Sequence, residues 1–257
     1  MNPFRISVIA QNVFREVIRV RVLYLVGAFA IFLLLAAQIL PEAASIAADK
    51  IFLDLGLASI ALLGLMVTIF VGTNLINKEI EKRTVIVLLA KPVSRSELII
   101  GKHLGLSAVI GLLVAAMTLI YMGILSFKGI AYPPVAIVIT NLFLMLQLSL
   151  IIAVAILFGV STSSLLATLL TLAIFLVGQF SQDLVRLIEL TENPNLQRFA
   201  KYLYLVLPDL SRLNYRDLAI YNALPDGATL AINAGYGCLY TVLILGIALL
   251  IFSRRQF

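Results

Sequence analysis

Apolar residues come in six long runs along this chain, separated by polar joints: Val22–Leu40, Phe52–Thr73, Leu104–Phe127, Pro134–Phe158, Ser164–Phe180 and Ala228–Phe252. A helix rises about 1.5 Å per residue, so about 20 apolar residues cross the hydrocarbon of a bilayer. The pattern predicts an all-α polytopic membrane protein with six transmembrane helices. Six such helices fill roughly half the chain. The longest polar stretch, Ser181–Gly227, is itself interrupted by apolar positions, which leaves no room for a separate soluble catalytic domain. The first run is longer than the roughly 7–15 residues of a signal-peptide core and lies far from the start, so it reads as a span.

The joints carry their own periodicity. In Pro3–Val20, Ser7, Gln11, Arg15 and Arg19 form one stripe, and Ile6, Ile9, Val13, Val17 and Val20 form the opposite face. An apolar face backed by arginines predicts an interfacial helix over 1–21, in preference to a cytoplasmic extension of the first span. The stretch 74–103 predicts a short helix, a stop at Pro92 and a new helix entering the third span. Glu79 stands four residues before Arg83, a favourable helical ion pair of about 0.2–0.5 kcal/mol. Ser94, Arg95, Ser96 and Glu97 spell a capping box. A short cytoplasmic helix held between two spans suits docking into a groove on a partner. A solvated loop whose cations only set topology fits the composition equally. The stretch 181–227 predicts helices near 183–190 and 196–206, broken at Thr191–Pro194 and ended by Pro208. These read as helices able to cover the outer mouth of the bundle, or as an interfacial cap with no gating role.

Charge orients the spans. Arg5, Arg15, Arg19 and Arg21, then Lys78, Lys82, Arg83, Lys91, Arg95 and Lys102, then Arg254 and Arg255 make twelve of the 19 basic residues. Cations concentrate in cytoplasmic loops, so both termini and the 74–103 segment are expected inside and 181–227 outside. The chain has no Trp, so an aromatic belt must be Tyr. Six of its nine tyrosines lie between Tyr202 and Tyr240; they fit either a membrane-surface belt or packing within the outer segment.

Composition narrows the chemistry. The chain is 62% hydrophobic and 12% charged, with a mean hydropathy of +1.09. Soluble domains carry about 25% charged residues, so a soluble globule, a disordered chain and a nucleic-acid-binding domain are excluded. One Cys and one His exclude disulfides and every two-His or multi-Cys metal site. No metal or cofactor is expected on this chain.

The 74–103 stretch resembles the membrane subunits of ABC-2 type ATP-binding-cassette transporters. It carries their acidic residue (Glu79 or Glu81), then Thr84, Leu88–Leu89, Pro92 through Arg95, and Gly101–Lys102. The segment from Pro208 to Asp217 and the C-terminal Phe252–Phe257 are similar to those of the branch that includes the nitrous-oxide-reductase maturation permease. The architecture resembles the family over the whole chain, and the specific motif covers about thirty residues. The resemblance implies a single transmembrane domain over 1–257 acting as a half-transporter in a bacterial inner membrane. Two copies, forming a homodimer, would surround the pathway in the lipid bilayer. Each would dock a cytoplasmic ABC ATPase, two copies in all, through a coupling helix. The ATPase-coupling residues implied are Glu79, Ile80, Glu81, Arg83, Thr84, Leu88, Pro92 and Arg95; Ile80, Thr84 and Leu88 form the inserted stripe. The chain lacks G-x-x-x-x-G-K-[ST]: Gly101–Lys102 is its one Gly-Lys, and Ser96 stands where the first Gly is needed. ATP and Mg therefore belong to the partner ATPase.

Two other classes compete. A membrane-embedded enzyme would need a Ser paired with a base; His103 and the cluster Ser161–Ser164 are the available groups, and each also reads simply, as an interfacial residue and a tight polar turn. A stand-alone channel or carrier would mark its path with intramembrane charge, which costs about 2.5–3.5 kcal/mol at mid-span. The spans avoid such charge, Asp54 lying near a span end. Thr68, Thr140 and Gln147 are the neutral pathway candidates, and helix–helix hydrogen bonding explains them as well. An uncharged pathway favours a hydrophobic or lipid-like substrate over an ion.

Overall fold

A computed structural model describes residues 2–19, 22–43, 47–81, 94–181, 183, 197 and 207–254, and the regular structure among them is helical. The helices are α1 (Pro3–Arg19), α2 (Tyr24–Ala43), α3 (Ala48–Glu81), α4 (Arg95–Lys128), α5 (Pro134–Ser161), α6 (Ser164–Gln179), α7 (Arg216–Ile220) and α8 (Gly227–Arg254), with a 3-10 turn at Leu210–Leu213. Each of the six apolar runs lies on one of them. Five helices, α2, α3, α4, α5 and α8, are long and apolar enough to cross a membrane. The fifth run forms the shorter α6, of 16 residues. The helices expected near 183–190 and 196–206, with the break between them, lie outside the described residues apart from Asp183 and Gln197, which are helical.

Sequence chemistry sets the helix ends. Ser94 accepts from the Glu97 N–H and the Glu97 carboxylate accepts from the Ser94 N–H, so the expected capping box starts α4. Gly129 ends α4 with φ 70, a left-handed turn that favours glycine, and its N–H returns to the Leu125 and Ser126 carbonyls. Pro133 and Pro134 then open α5. The Ser161–Ser164 cluster is the turn between α5 and α6, with the Ser161 and Thr162 hydroxyls folded back onto α5 carbonyls. Before α8, Asp226 accepts the Thr229 hydroxyl, which holds its carboxyl below the usual range.

One expectation changes. Residues 74–81 do not make a separate helix; α3 runs unbroken from Ala48 to Glu81. No Gly or Pro interrupts 73–81, and the Asn74 side-chain amide donates to the Phe70 carbonyl at 2.7 Å within the same helix. At about 1.5 Å per residue, 34 residues exceed the hydrocarbon thickness, so α3 and α4 both project beyond it.

Helix α5 is the axis of the bundle: every residue from Leu150 to Ala155 is buried. α3, α4, α6 and α8 pack around it, and α2 lies outside α3 and α4, burying one ridge of Phe29, Leu33 and Ala37. Tyr121 of α4 is fully buried and donates to the Leu53 carbonyl at 2.8 Å; only glycine at position 56 leaves space for its ring. Large apolar side chains face outward along the long helices, among them Leu119, Phe127, Leu165, Leu239 and Val242. That surface is stable in lipid and not in water.

Candidate functional site

The start of α4 gathers the polar contacts at one end of the bundle. Glu97 is 3% exposed, and its Oε1 accepts the backbone N–H of Asn2 at 2.7 Å, which ties the head of α1 to α4. Arg95 turns the other way: Nη1 donates to the carbonyls of Phe252 and Ser253, each at 2.7 Å, and its guanidinium lies 5.7 Å from the Phe252 ring. A cation there satisfies the orphan carbonyls that end α8. Lys102 is buried and its Nζ donates to the Leu75 carbonyl of α3 at 2.6 Å. His103 reaches α5, with Nε2 3.0 Å from the Ser149 carbonyl. Nine residues of α4 thus hold α1, α3, α5 and α8. The Lys102 bond is the buried one of the set, and a hydrogen bond to a charged group contributes about 1.5–3 kcal/mol.

α1 seats on the same two turns. Its apolar face packs against α4 with Val13 and Val17 buried, while Arg15, Glu16 and Arg19 stay exposed. Gly101 and Gly105 make the contact possible. A Cβ at Gly105 would lie 2.6 Å from the Ala10 carbonyl and one at Gly101 2.7 Å from Ile9. The small-xxx-small pattern of α4 is therefore occupied by the chain's own first helix.

The expected coupling residues are placed unequally. Arg95 lies in the junction. Glu79, Ile80 and Glu81 belong to the last turn of α3. Arg83, Thr84, Leu88 and Pro92 lie outside the described residues. The segment 82–93 is bounded on one side by α3 and on the other by the capping box of α4. The sequence marks Lys102 as a topological cation and, with Gly101, as part of the family motif, but its burial against α3 was missed. A Lys so close to an apolar run, one residue after a Gly that admits a crossing helix, was the available signal.

The pathway candidates are all buried in the bundle. Thr140 donates to the Tyr215 carbonyl at 3.4 Å, and Gln147 donates to Gln179 Oε1 at 2.9 Å across α5 and α6. Among the described residues the Thr68 hydroxyl has no hydrogen-bond partner. His103 does not meet the Ser161–Ser164 cluster; Ser164 instead donates to Asn74 Oδ1 at 2.8 Å. The nearest partner of His103 is a carbonyl, which takes an N–H. The Ser149 hydroxyl lies 3.3 Å from the same nitrogen; a ring nitrogen donating to the carbonyl has no lone pair for that hydroxyl's proton, so Ser149 and His103 make a poor nucleophile–base couple.

The opposite end is closed by residues 207–220. Asp209, 3% exposed, accepts from the Ser181 hydroxyl at 2.8 Å and pairs with Arg212 Nε at 3.1 Å. Its N–H donates to the Tyr236 hydroxyl at 2.8 Å. The Phe143 and Tyr215 rings meet edge-on at 4.7 Å, and Asn233 donates to the Tyr215 hydroxyl. Tyr215 and Tyr236 thus fasten the cap, whereas Tyr221 is exposed; Tyr202 and Tyr204 lie outside the described residues. Below the cap, a cavity of about 340 Å³ lies between α3, α5 and α6, with Gln147, Gln179 and Arg216 as its polar lining. Among the described residues no group of His, Cys, Asp and Glu is arranged to hold a metal.

Residues 7–257 fit the family model described as ABC-2 family transporter protein. No curated protein matches the chain.

Proposed function

Because the chain belongs to the ABC-2 family of transporter proteins, membrane transport components that are not enzymes by themselves, we propose that it is the permease half of an exporter driven by a separate ABC ATPase. Two copies form a homodimer around a shared pathway, and each engages one ATPase, which binds ATP and Mg. The supporting observation is the junction at the head of α4. The segment 82–93 leads directly into a helix whose first nine residues hold α1, α3, α5 and α8. A displacement imposed on that segment therefore reaches most of the bundle at once.

In this reading residues 82–93, the junction and both termini face the cytoplasm of a bacterial inner membrane, and residues 181–227 face outward. α1 lies in the inner interface with Phe4 and Val8, its exposed apolar side chains, toward lipid. Residues 74–103 form the coupling segment, with Glu79, Ile80, Glu81, Arg83, Thr84, Leu88, Pro92 and Arg95 as its working residues. The cargo is hydrophobic or lipid-like, since Thr68, Thr140 and Gln147 offer only neutral polarity along the spans. The test is native mass spectrometry of the complex purified on a tagged copy of this chain. Two permeases with two P-loop ATPases are expected; a chain that purifies without an ATPase would overturn the reading.

A further inference from the structure

We propose that Arg95 is a positioning residue that carries movement of the 82–93 segment to α8 and, along α8, to the cap at residues 207–220. This rests on the reading above, in which 82–93 engages an ATPase. By resemblance Arg95 counts as a docking residue, yet its guanidinium turns onto α8. Nη1 donates to the Phe252 and Ser253 carbonyls, each at 2.7 Å. The same group lies 5.7 Å from the centre of the Phe252 ring, and Phe252 is buried. A cation on the last carbonyls of a helix is held by the hydrogen bonds and by the helix dipole together. Arg95 also follows directly on the Ser94 cap, so a displacement of 82–93 acts on it at once.

The other end of α8 is joined to the cap. Asn233 donates to the Tyr215 hydroxyl at 2.6 Å, and the Tyr236 hydroxyl accepts the Asp209 N–H at 2.8 Å. The Arg212 guanidinium lies 5.1 Å from the Tyr236 ring centre. Leu213 seats on Gly237, where a Cβ would come within 3.2 Å of the Leu213 Cδ1. α8 itself is one unbroken helix of 28 residues, about 42 Å long, with no Pro in it. Sharp kinks arise at Pro or where the hydrogen-bond ladder is interrupted, so α8 moves as a rod. Hydrogen bonds and rigid elements of this kind carry coupling between distant sites. A pull on Arg95 therefore reaches the last turn of α8 and, through Asn233, Tyr236 and Gly237, the cap.

The test uses the full chain with its ATPase in proteoliposomes. A spin label is placed on a cysteine at position 217, an exposed cap residue, in a Cys238→Ser background. In the parent, ATP should change the mobility of the label. Arg95→Gln should bind the ATPase with the parent's affinity and lose that change. Arg95→Lys, which keeps a cation on the carbonyls, should retain part of it. Tyr121→Phe deletes the hydrogen bond to the Leu53 carbonyl, which joins α4 to α3, and so controls for general loosening; it should respond as the parent does. In the double variant Arg95→Cys, Ser253→Cys, a short reducible bis-methanethiosulfonate bridge should restore the change, and reduction should abolish it. A parent that binds no ATPase would overturn the functional reading and this proposal with it. With the ATPase bound, no ATP-dependent change at 217 in the parent, a change that survives Arg95→Gln, a loss of ATPase affinity in that variant, an equal loss in Tyr121→Phe, or a bridge that restores nothing would each overturn this proposal alone.

Discussion

Arg95, the first residue of α4, donates through Nη1 to the main-chain carbonyl of Phe252 at 2.7 Å, joining positions 157 residues apart. The same nitrogen donates to Ser253, so one side chain closes the last turn of α8. Arg95→Gln removes the charge and most of the reach. The expected cost is about 1–2 kcal/mol, at the low side for charged hydrogen bonds because the contact is partly exposed. Denaturation of the detergent-purified protein reads this directly. Arg95→Lys should recover only part, since one ammonium replaces a planar fork.

Glu97 holds the head of α1 through the Asn2 N–H. Glu97→Ala removes both that acceptor and the reciprocal half of the capping box, and should loosen the head of α1 and lower the denaturation midpoint. A spin label at the exposed Val8 should become more mobile in the variant. Glu97→Gln keeps a carbonyl oxygen and should be intermediate.

Gly105 lies where α1 crosses α4, with no room for a Cβ beside Ala10 and Val13. Gly105→Val forces side-chain carbons into the Ala10 carbonyl and Val13, so α1 must shift, with a cost of about 1–3 kcal/mol. Gly123→Ala, on the same helix with open space around it, is the matched control and should be neutral or slightly stabilising. Equal effects of the two would mean that α1 does not depend on this contact.

The sidedness of the bundle follows from its cations and is checked with single cysteines in a Cys238→Ser background. Ser7 and Asp217 are both exposed. Impermeant maleimide applied outside intact cells should label a cysteine at 217 and leave one at 7 unlabelled. The reverse pattern would invert the topology.

Much of this architecture was legible in sequence because membrane spans are written in long apolar runs, and helix starts in short local codes. Ser94 and Glu97 announced the start of α4. The continuation of α3 to Glu81 was not legible, because polar composition suggested a joint where nothing in the local chain breaks a helix. The contacts of the junction were hidden for another reason. Arg95 with Phe252, Lys102 with Leu75 and Glu97 with Asn2 are long-range pairs, and no local pattern encodes them.

The central claim is that residues 82–93 couple this chain to an ATPase. The most direct measurement is ATP hydrolysis in proteoliposomes, with the chain alone, with its ATPase, and with Leu88→Asp in place of the parent. A carboxylate at position 88 would be buried unpaired in the partner's groove, and a buried apolar anchor outweighs rim charges, so this one change should separate the two proteins. The account predicts no hydrolysis by the chain alone, stimulated hydrolysis by the parent complex, and a return to the ATPase-only level with Leu88→Asp, while Lys128→Ala and Arg255→Ala behave as the parent. Turnover by the pure chain, or stimulation undiminished by Leu88→Asp, would contradict it.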